Sequence, residues 1–131
     1  VFTQTKYKWD ISHVPDGYYI IKFIASDELE NASPGQAIFE TRPVLIDNQP
    51  PVVSATLSEG KVRGSASDSF SCITQIGYRA HGQDWTLIEP LDNIFDSQEE
   101  MFEFRADFPK EAILEIKAVD GAGNIGYVFV K

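Results

Sequence analysis

The sequence predicts an all-β fold arranged as an antiparallel sandwich, and three observations support this. Nearly every apolar stretch alternates with period two, as half-buried strands do. Short groups of Gly, Pro, Asp and Asn separate these stretches and indicate tight turns. No window has a helical period. Many short strands joined by frequent turns are typical of a sandwich.

Three strands are expected in the N-terminal part, at 7–12, 18–26 and 36–46. In the first, Tyr7, Trp9 and Ile11 alternate with polar residues. In the second, alternate positions carry large apolar side chains, among them Ile21 and Phe23. These five residues would form an apolar sheet face.

Seven strands are expected in the C-terminal part. They lie at 52–58, 61–68, 74–80, 84–88, 101–106, 112–120 and 125–130. The alternation in 112–120 places Leu114, Ile116 and Ala118 on one side. The acidic segment 89–100 lacks a period and predicts a long loop.

A module boundary is expected at "DNQPP". Pro50 and Pro51 lack amide donors, and each favours an extended conformation in the residue before it. A sheet ladder cannot continue through such a pair, so it predicts a stiff hinge. We therefore divide the chain into 1–49, the C-terminal three-stranded part of one module, and 50–131, a complete module.

Two copies of Ala-x-Asp-x-x-x-Asn lie 93 positions apart, in "ASDELENAS" and "AVDGAGNIG". The copies place Asp27 and Asn31 in correspondence with Asp120 and Asn124. A carboxylate at a strand end can accept hydrogen bonds from amides of the following turn, and Gly123 and Asn124 tolerate positive φ. The pattern predicts structural turns, with metal ligation by Asp27 or Asp120 as the alternative.

"VPDGYYIIKFIASD", "PVLIDNQPP", "GSASD", "IFDSQEEMFEF" and "AVDGAGN" together resemble tandem fibronectin type III or immunoglobulin-like modules of large secreted bacterial proteins. Such modules often follow a β-propeller. The resemblance implies an immunoglobulin-like sandwich in a secreted or cell-surface protein, with neighbouring domains of the same polypeptide as partners. It implies spacing, presentation or adhesion, and no catalytic residues or cofactors.

Composition excludes several classes of function. The formal net charge is −9, from 20 acidic and 11 basic residues. This balance argues against nucleic-acid binding, which needs clustered Lys and Arg. No apolar run approaches the length of a membrane helix, so membrane insertion is not expected. The single cysteine, Cys72, excludes an internal disulfide, and no catalytic motif is present. His13 and His81 both lie beside expected turns.

Two aromatic residues are candidate ligand contacts. Trp85 is expected in the core, because Leu87 shares its face. The alternative is an exposed platform for stacking sugars, as in a carbohydrate-binding accessory module of a polysaccharide-acting enzyme. Tyr18 points opposite to Tyr19 and is a candidate surface contact.

An acidic region is the remaining candidate for ion binding. Asp92, Asp96, Glu99, Glu100 and Asp107 lie close in sequence, with Asp68 as a further candidate neighbour. Their spacing matches no EF-hand, and a solvated acidic loop is expected. A calcium-stiffened adhesin module is the alternative function attached to such acidic residues.

The apolar N-terminal sheet face needs cover, because a face of this kind is not stable in water. Three partners could cover it: the complete module at 50–131, a second copy of the chain, or a chain segment that precedes residue 1. The sequence favours self-association, by edge-strand pairing or strand exchange.

Overall fold

The computed structural model describes residues 6–105, 109 and 111–131, and these residues are all-β. The chain divides into two compact units between Ile46 and Asp47. This division lies three residues before the predicted boundary at 49/50. We call the two parts the N-terminal unit and the C-terminal unit. The described residues contain no helix long and apolar enough to cross a membrane.

The N-terminal unit has four short strands in two antiparallel pairs, which differs from the three long strands expected. Strands β1 (Gly17–Tyr19) and β4 (Val44–Ile46) pair with each other, and β2 (Lys22–Ser26) pairs with β3 (Gln36–Glu40). The expected strand at 18–26 is interrupted at 20–21, and the expected strand at 36–46 is interrupted at 41–43. At the interruptions Ile21 and Thr41 bond to each other: the Ile21 amide donates to Thr41 Oγ1 at 3.0 Å, and the Thr41 amide donates to the Ile21 carbonyl at 3.0 Å.

The predicted strand at 7–12 is absent. The Ser12 amide donates to Asp10 Oδ1 at 3.0 Å, and the Val14 amide donates to the Ile11 carbonyl at 2.9 Å. These local bonds compete with the hydrogen bonds of a sheet ladder. Pro15 follows and has no N–H that could donate to a ladder. The alternation of Tyr7, Trp9 and Ile11 therefore does not correspond to a strand.

Two antiparallel sheets build the C-terminal unit, an arrangement consistent with a β-sandwich. The three-stranded sheet has the order β5-β6-β9, with β5 at Val52–Ser58, β6 at Lys61–Ser67 and β9 at Glu99–Arg105. The four-stranded sheet has the order β11-β10-β7-β8. Its strands are β7 (Ile73–Ala80), β8 (Thr86–Ile88), β10 (Leu114–Asp120) and β11 (Ile125–Val130).

The core of the C-terminal unit lies between these two sheets. The three-stranded sheet contributes Val53, Val62, Ala66 and Phe102, and the four-stranded sheet contributes Ile73, Ile76, Leu114, Ile116, Ala118 and Val130. The predicted inward face of 112–120 is confirmed, because Leu114, Ile116 and Ala118 are at most 1% exposed. Tyr78 and Phe104 stack across the core with ring centroids 4.1 Å apart. Burial of this apolar set is the main stabilising contribution in the unit.

Strand β11 carries its large apolar side chains outward. Ile125, Tyr127 and Phe129 are 42%, 53% and 62% exposed, whereas Gly126 is buried. A Cβ at Gly126 would lie 1.8 Å from the Pro51 carbonyl oxygen. The inward position must therefore be glycine, because the backbone before β5 passes directly over it.

Candidate functional site

The turn between β10 and β11 is organised by the carboxylate of Asp120. Asp120 Oδ1 accepts hydrogen bonds from the amides of Ala122 at 2.9 Å and Asn124 at 2.8 Å. Asn124 Nδ2 donates to Asp120 Oδ2 at 2.9 Å. Gly123 has φ +93°, a left-handed conformation that lets the turn 121–124 close and that glycine adopts without a side-chain clash. Asp120 is only 2% exposed, and its carboxylate accepts these three bonds.

The upstream copy of the motif makes the same side-chain bond. Asn31 Nδ2 donates to Asp27 Oδ2 at 3.0 Å, and the Gly35 amide donates to Asp27 Oδ1 at 2.6 Å. The Asn31 and Gly35 bonds hold the pKa of Asp27 below its usual value. Asp27 is exposed, however, whereas Asp120 is buried. The two Asp-Asn pairs therefore share local geometry but differ in environment.

Asn124 also joins the turn to the segment that enters the C-terminal unit. Its Nδ2 donates to the backbone carbonyl of Asp47 at 3.0 Å, across 77 positions of sequence. On the other side, the Ser71 hydroxyl donates to Asp47 Oδ2, and the Gln49 amide donates to Asp47 Oδ1 at 3.2 Å. We call residues 47–51 the entry segment. Polar bonds hold it at Asp47, and the Pro51–Gly126 contact holds it at its other end.

The prolines of the predicted hinge therefore lie in this segment. Neither Pro50 nor Pro51 belongs to a strand: β4 ends at Ile46 and β5 begins at Val52. Pro51 is buried, with its carbonyl against Gly126. Asp47 belongs to the C-terminal unit because its partners Ser71 and Asn124 do, which accounts for the earlier boundary.

Three carboxylates meet at this end of the C-terminal unit. Oxygens of Asp47, Asp68 and Asp120 all lie within 4.8 Å of one another, and we call the three residues the aspartate cluster. Asp68 Oδ1 accepts the amides of Phe70 at 2.8 Å and Ser71 at 2.9 Å. Asp47 is 6% exposed and Asp120 is 2% exposed. Within the described residues, none of the three makes a salt bridge with Lys, Arg or His.

The sequence predicts a solvated acidic loop at 89–100, with Asp68 as a further candidate neighbour, and gives Asp120 as an alternative metal ligand. In the structure, Asp92 accepts the Ile94 amide at 3.2 Å, and Glu100 accepts the amides of Asp96 at 3.1 Å and Ser97 at 2.9 Å. These carboxylates organise their own loop, and Asp107 lies outside the described residues. Of the aspartate cluster, only Asp47 is not a candidate from the sequence, and the signal that could have grouped the three residues is their position at strand ends. Asp47 and Asp68 each follow the last residue of a strand and Asp120 ends one, so the fold brings together residues that are distant in sequence.

Trp85 is not in the core, so its expected placement is wrong. It is half-buried on the outer face of the four-stranded sheet. It does share a face with Leu87, but Leu87 is 61% exposed. The Arg79 guanidinium and the Lys117 ammonium each lie 4.5 Å from the centroid of its ring. These cations cover the indole with cation–π contacts, which is unlike an open platform for a sugar ring.

Beside Trp85 lies an ion-pair network centred on Glu115. Its side chain is 7% exposed and accepts Arg79 Nε at 2.5 Å, while His81 Nδ1 lies 2.7 Å away. The His81 and Arg79 bonds hold the pKa of Glu115 below its usual value. His81 therefore has a structural partner. Tyr18, the second predicted ligand contact, is 71% exposed.

Comparison of the chain with family models, with curated proteins and with solved structures gives no match.

Proposed function

We propose that this chain is a non-catalytic structural module, of immunoglobulin or fibronectin III type, that spaces or presents a neighbouring domain in a secreted or surface bacterial protein. One observation carries the proposal. The entry segment is fixed within the C-terminal unit: Asp47 bonds to Ser71, before β7, and to Asn124 of the closing β10–β11 hairpin, and Pro51 contacts Gly126 of the same hairpin. A spacer needs a defined point of chain entry, and these contacts supply one.

The physical value of this arrangement is stiffness. A chain entering through a free linker would reorient easily, because Gly- and Ser-rich connections behave as flexible coils. Residues 47–51 instead contain two prolines and make side-chain and backbone contacts at both ends. Asn124 serves two purposes, since the same amide group bonds to Asp120 and to the Asp47 carbonyl. The closing turn and the entry of the chain are therefore stabilised together.

Replacement of this amide tests the proposal. Asn124→Ala removes both Nδ2 bonds and leaves buried acceptors without a donor, so we expect the free energy of unfolding to fall by about 2 kcal/mol or more. Asn31→Ala is the matched control, because it removes the equivalent bond to exposed Asp27 and should cost less than about 0.5 kcal/mol. Urea denaturation measures both. Equal losses in the two variants would contradict a special role for Asn124.

A second candidate function, a calcium-stiffened module, is favoured by the aspartate cluster. Like charges within 4.8 Å repel, and two of the three carboxylates are buried without a cationic side chain among the described residues. Calcium prefers several carboxylate and carbonyl oxygens and would offset this repulsion. The bound ion would stiffen the same end of the unit that the entry segment joins.

Calcium titration of thermal stability tests the second candidate. If calcium binds, the midpoint should rise with calcium and fall with chelator, since an ion at about 100 times its Kd adds about 2.7 kcal/mol. Asp68→Asn should abolish the rise, because Asp68 lies in the cluster but outside the closing turn. Asp92→Asn, in the acidic loop, should retain it. A midpoint indifferent to calcium and chelator removes this candidate and leaves the spacer proposal intact.

A further inference from the structure

The β2–β3 hairpin exposes apolar side chains on both of its faces. All ten strand residues are exposed. One face carries Phe23 and Phe39, with ring centroids 6.1 Å apart, and the other carries Ile24 and Ile38. The four side chains are 55–64% exposed. A two-stranded hairpin of this kind is at best marginally stable alone, so pairing with further strands would stabilise it.

The hydrogen-bond pattern shows which backbone groups remain free for such pairing. The Asp27 amide donates to the Gly35 carbonyl, and the Thr41 amide donates to the Ile21 carbonyl. Bonded pairs alternate along an antiparallel ladder, so residues 37 and 39 of β3 bond towards β2. Residues 36, 38 and 40 therefore direct their N–H and C=O groups to the outer edge. In the described part of the chain, neither outer edge of this hairpin pairs with another strand.

Charge distinguishes the two edges. Residues 22–30, which contain β2, carry one lysine and three acidic residues. Residues 31–40, which contain all of β3, carry one charged side chain, Glu40, whose carboxylate pairs with Lys22 of β2 at 3.6 Å. Two copies of a chain with net charge −9 repel each other, so they meet most easily where the charge is lowest. The edge of β3 is such a place, because its one charged residue, Glu40, lies at the end of the strand and is already paired with Lys22, so little charge protects this edge.

We propose that β3 pairs antiparallel with β3 of a second copy, about a two-fold axis between the two Ile38 residues. In this register Gln36 of one copy lies opposite Glu40 of the other, where an amide can donate to a carboxylate. Phe39 lies opposite Ala37, so a large side chain meets a small one. The two hairpins become one four-stranded sheet, in which the outward groups of residues 36, 38 and 40 are bonded.

Site-directed cross-linking tests the register. The background is Cys72→Ser, because Cys72 is exposed. Directly bonded antiparallel pairs have Cα atoms about 5.5 Å apart, within the range of about 4.4–6.8 Å that a disulfide spans. Ile38→Cys should therefore yield mostly disulfide-linked dimer after mild oxidation. Ile24→Cys is the matched control on β2, similarly exposed at 58% against 55%, and should yield little. Equal cross-linking of both, or preference for residue 24, would overturn the proposal.

Proline substitution tests the backbone pairing. Ile38→Pro removes an outward N–H of β3 without removing a bond to β2, and Ile24→Pro does the same on the β2 edge. By sedimentation equilibrium, we expect a concentration-dependent dimer that Ile38→Pro weakens at least about tenfold and Ile24→Pro leaves nearly unchanged. If the wild-type chain stays monomeric up to about 1 mM, the proposal is overturned. The exposed hairpin would then be covered by a different polypeptide segment.

Discussion

At the scale of single residues, a few contacts hold the entry segment in place. Asn124 bonds simultaneously to Asp120 and to the Asp47 carbonyl, and Gly126 makes room for the Pro51 carbonyl. Substitutions at these positions affect stability strongly, because the neighbouring backbone cannot move without breaking the contacts of the entry segment. Substitutions here should cost more than the small size of the changed group suggests.

Gly126→Ala is the sharpest case at this scale. The added Cβ would lie 1.8 Å from the Pro51 oxygen, so either β11 or the entry segment must shift. We expect a loss of about 3 kcal/mol or more in the free energy of unfolding, measured in urea.

Gly121→Ala is the control for that substitution. Its Cβ would meet its nearest neighbours at 3.6 and 3.7 Å, which are ordinary contacts. Its effect should stay within about 0.5 kcal/mol. Comparable losses in both variants would indicate that the Pro51 contact is not a rigid constraint.

At the scale of strands, the alternation in the sequence predicts the C-terminal unit well and the N-terminal unit poorly. Leu114, Ile116 and Ala118 are buried as expected, because β10 lies between two other strands and this face of it packs in the core against the three-stranded sheet. The segment 7–12 alternates equally well, yet the Asp10–Ser12 bond forms a turn there. Periodicity does not report such competing local bonds.

The same limit explains why the predicted position of Trp85 is wrong and why the sequence does not predict that the three aspartates lie together. Alternation shows that Trp85 and Leu87 share a face, but it does not show which face the other sheet covers. Asp47, Asp68 and Asp120 are brought together by three separate strand ends. Their proximity depends on strand order, which one sequence does not reveal.

The outer face of the four-stranded sheet gives a prediction on pH. The folded-state pKa of Glu115 is lowered by His81 and Arg79, so its contribution to stability is fully present above its ordinary pKa of about 4.3. That contribution is lost as the pH falls through the lower, folded-state pKa. Glu115→Gln should therefore flatten the fall in thermal midpoint below about pH 4.5.

Glu89→Gln provides the comparison, since Glu89 is exposed and outside the Glu115 network. It should leave the acid limb of the thermal-midpoint profile as steep as in the wild-type chain. If Glu115→Gln also leaves that limb unchanged, the network does not stabilise the fold.

At the scale of the whole molecule, the chain consists of two units with different degrees of closure. The C-terminal unit has a sealed core between two sheets, whereas the N-terminal unit has two strand pairs and many exposed apolar residues. The proposed spacer function depends on the closed core of the C-terminal unit. The proposed self-association through β3 depends on the exposed apolar residues of the N-terminal unit. The two proposals are independent, because the entry segment and the β3 edge share no residue.

The central claim is that the entry segment is fixed to the C-terminal unit, and backbone ¹⁵N relaxation of the wild-type chain tests it most directly. We predict order parameters for the Asn48 and Gln49 amides of about 0.85, equal to those of β10. Values below about 0.6 at these two residues, with β10 still rigid, would show a flexible linker and contradict the claim.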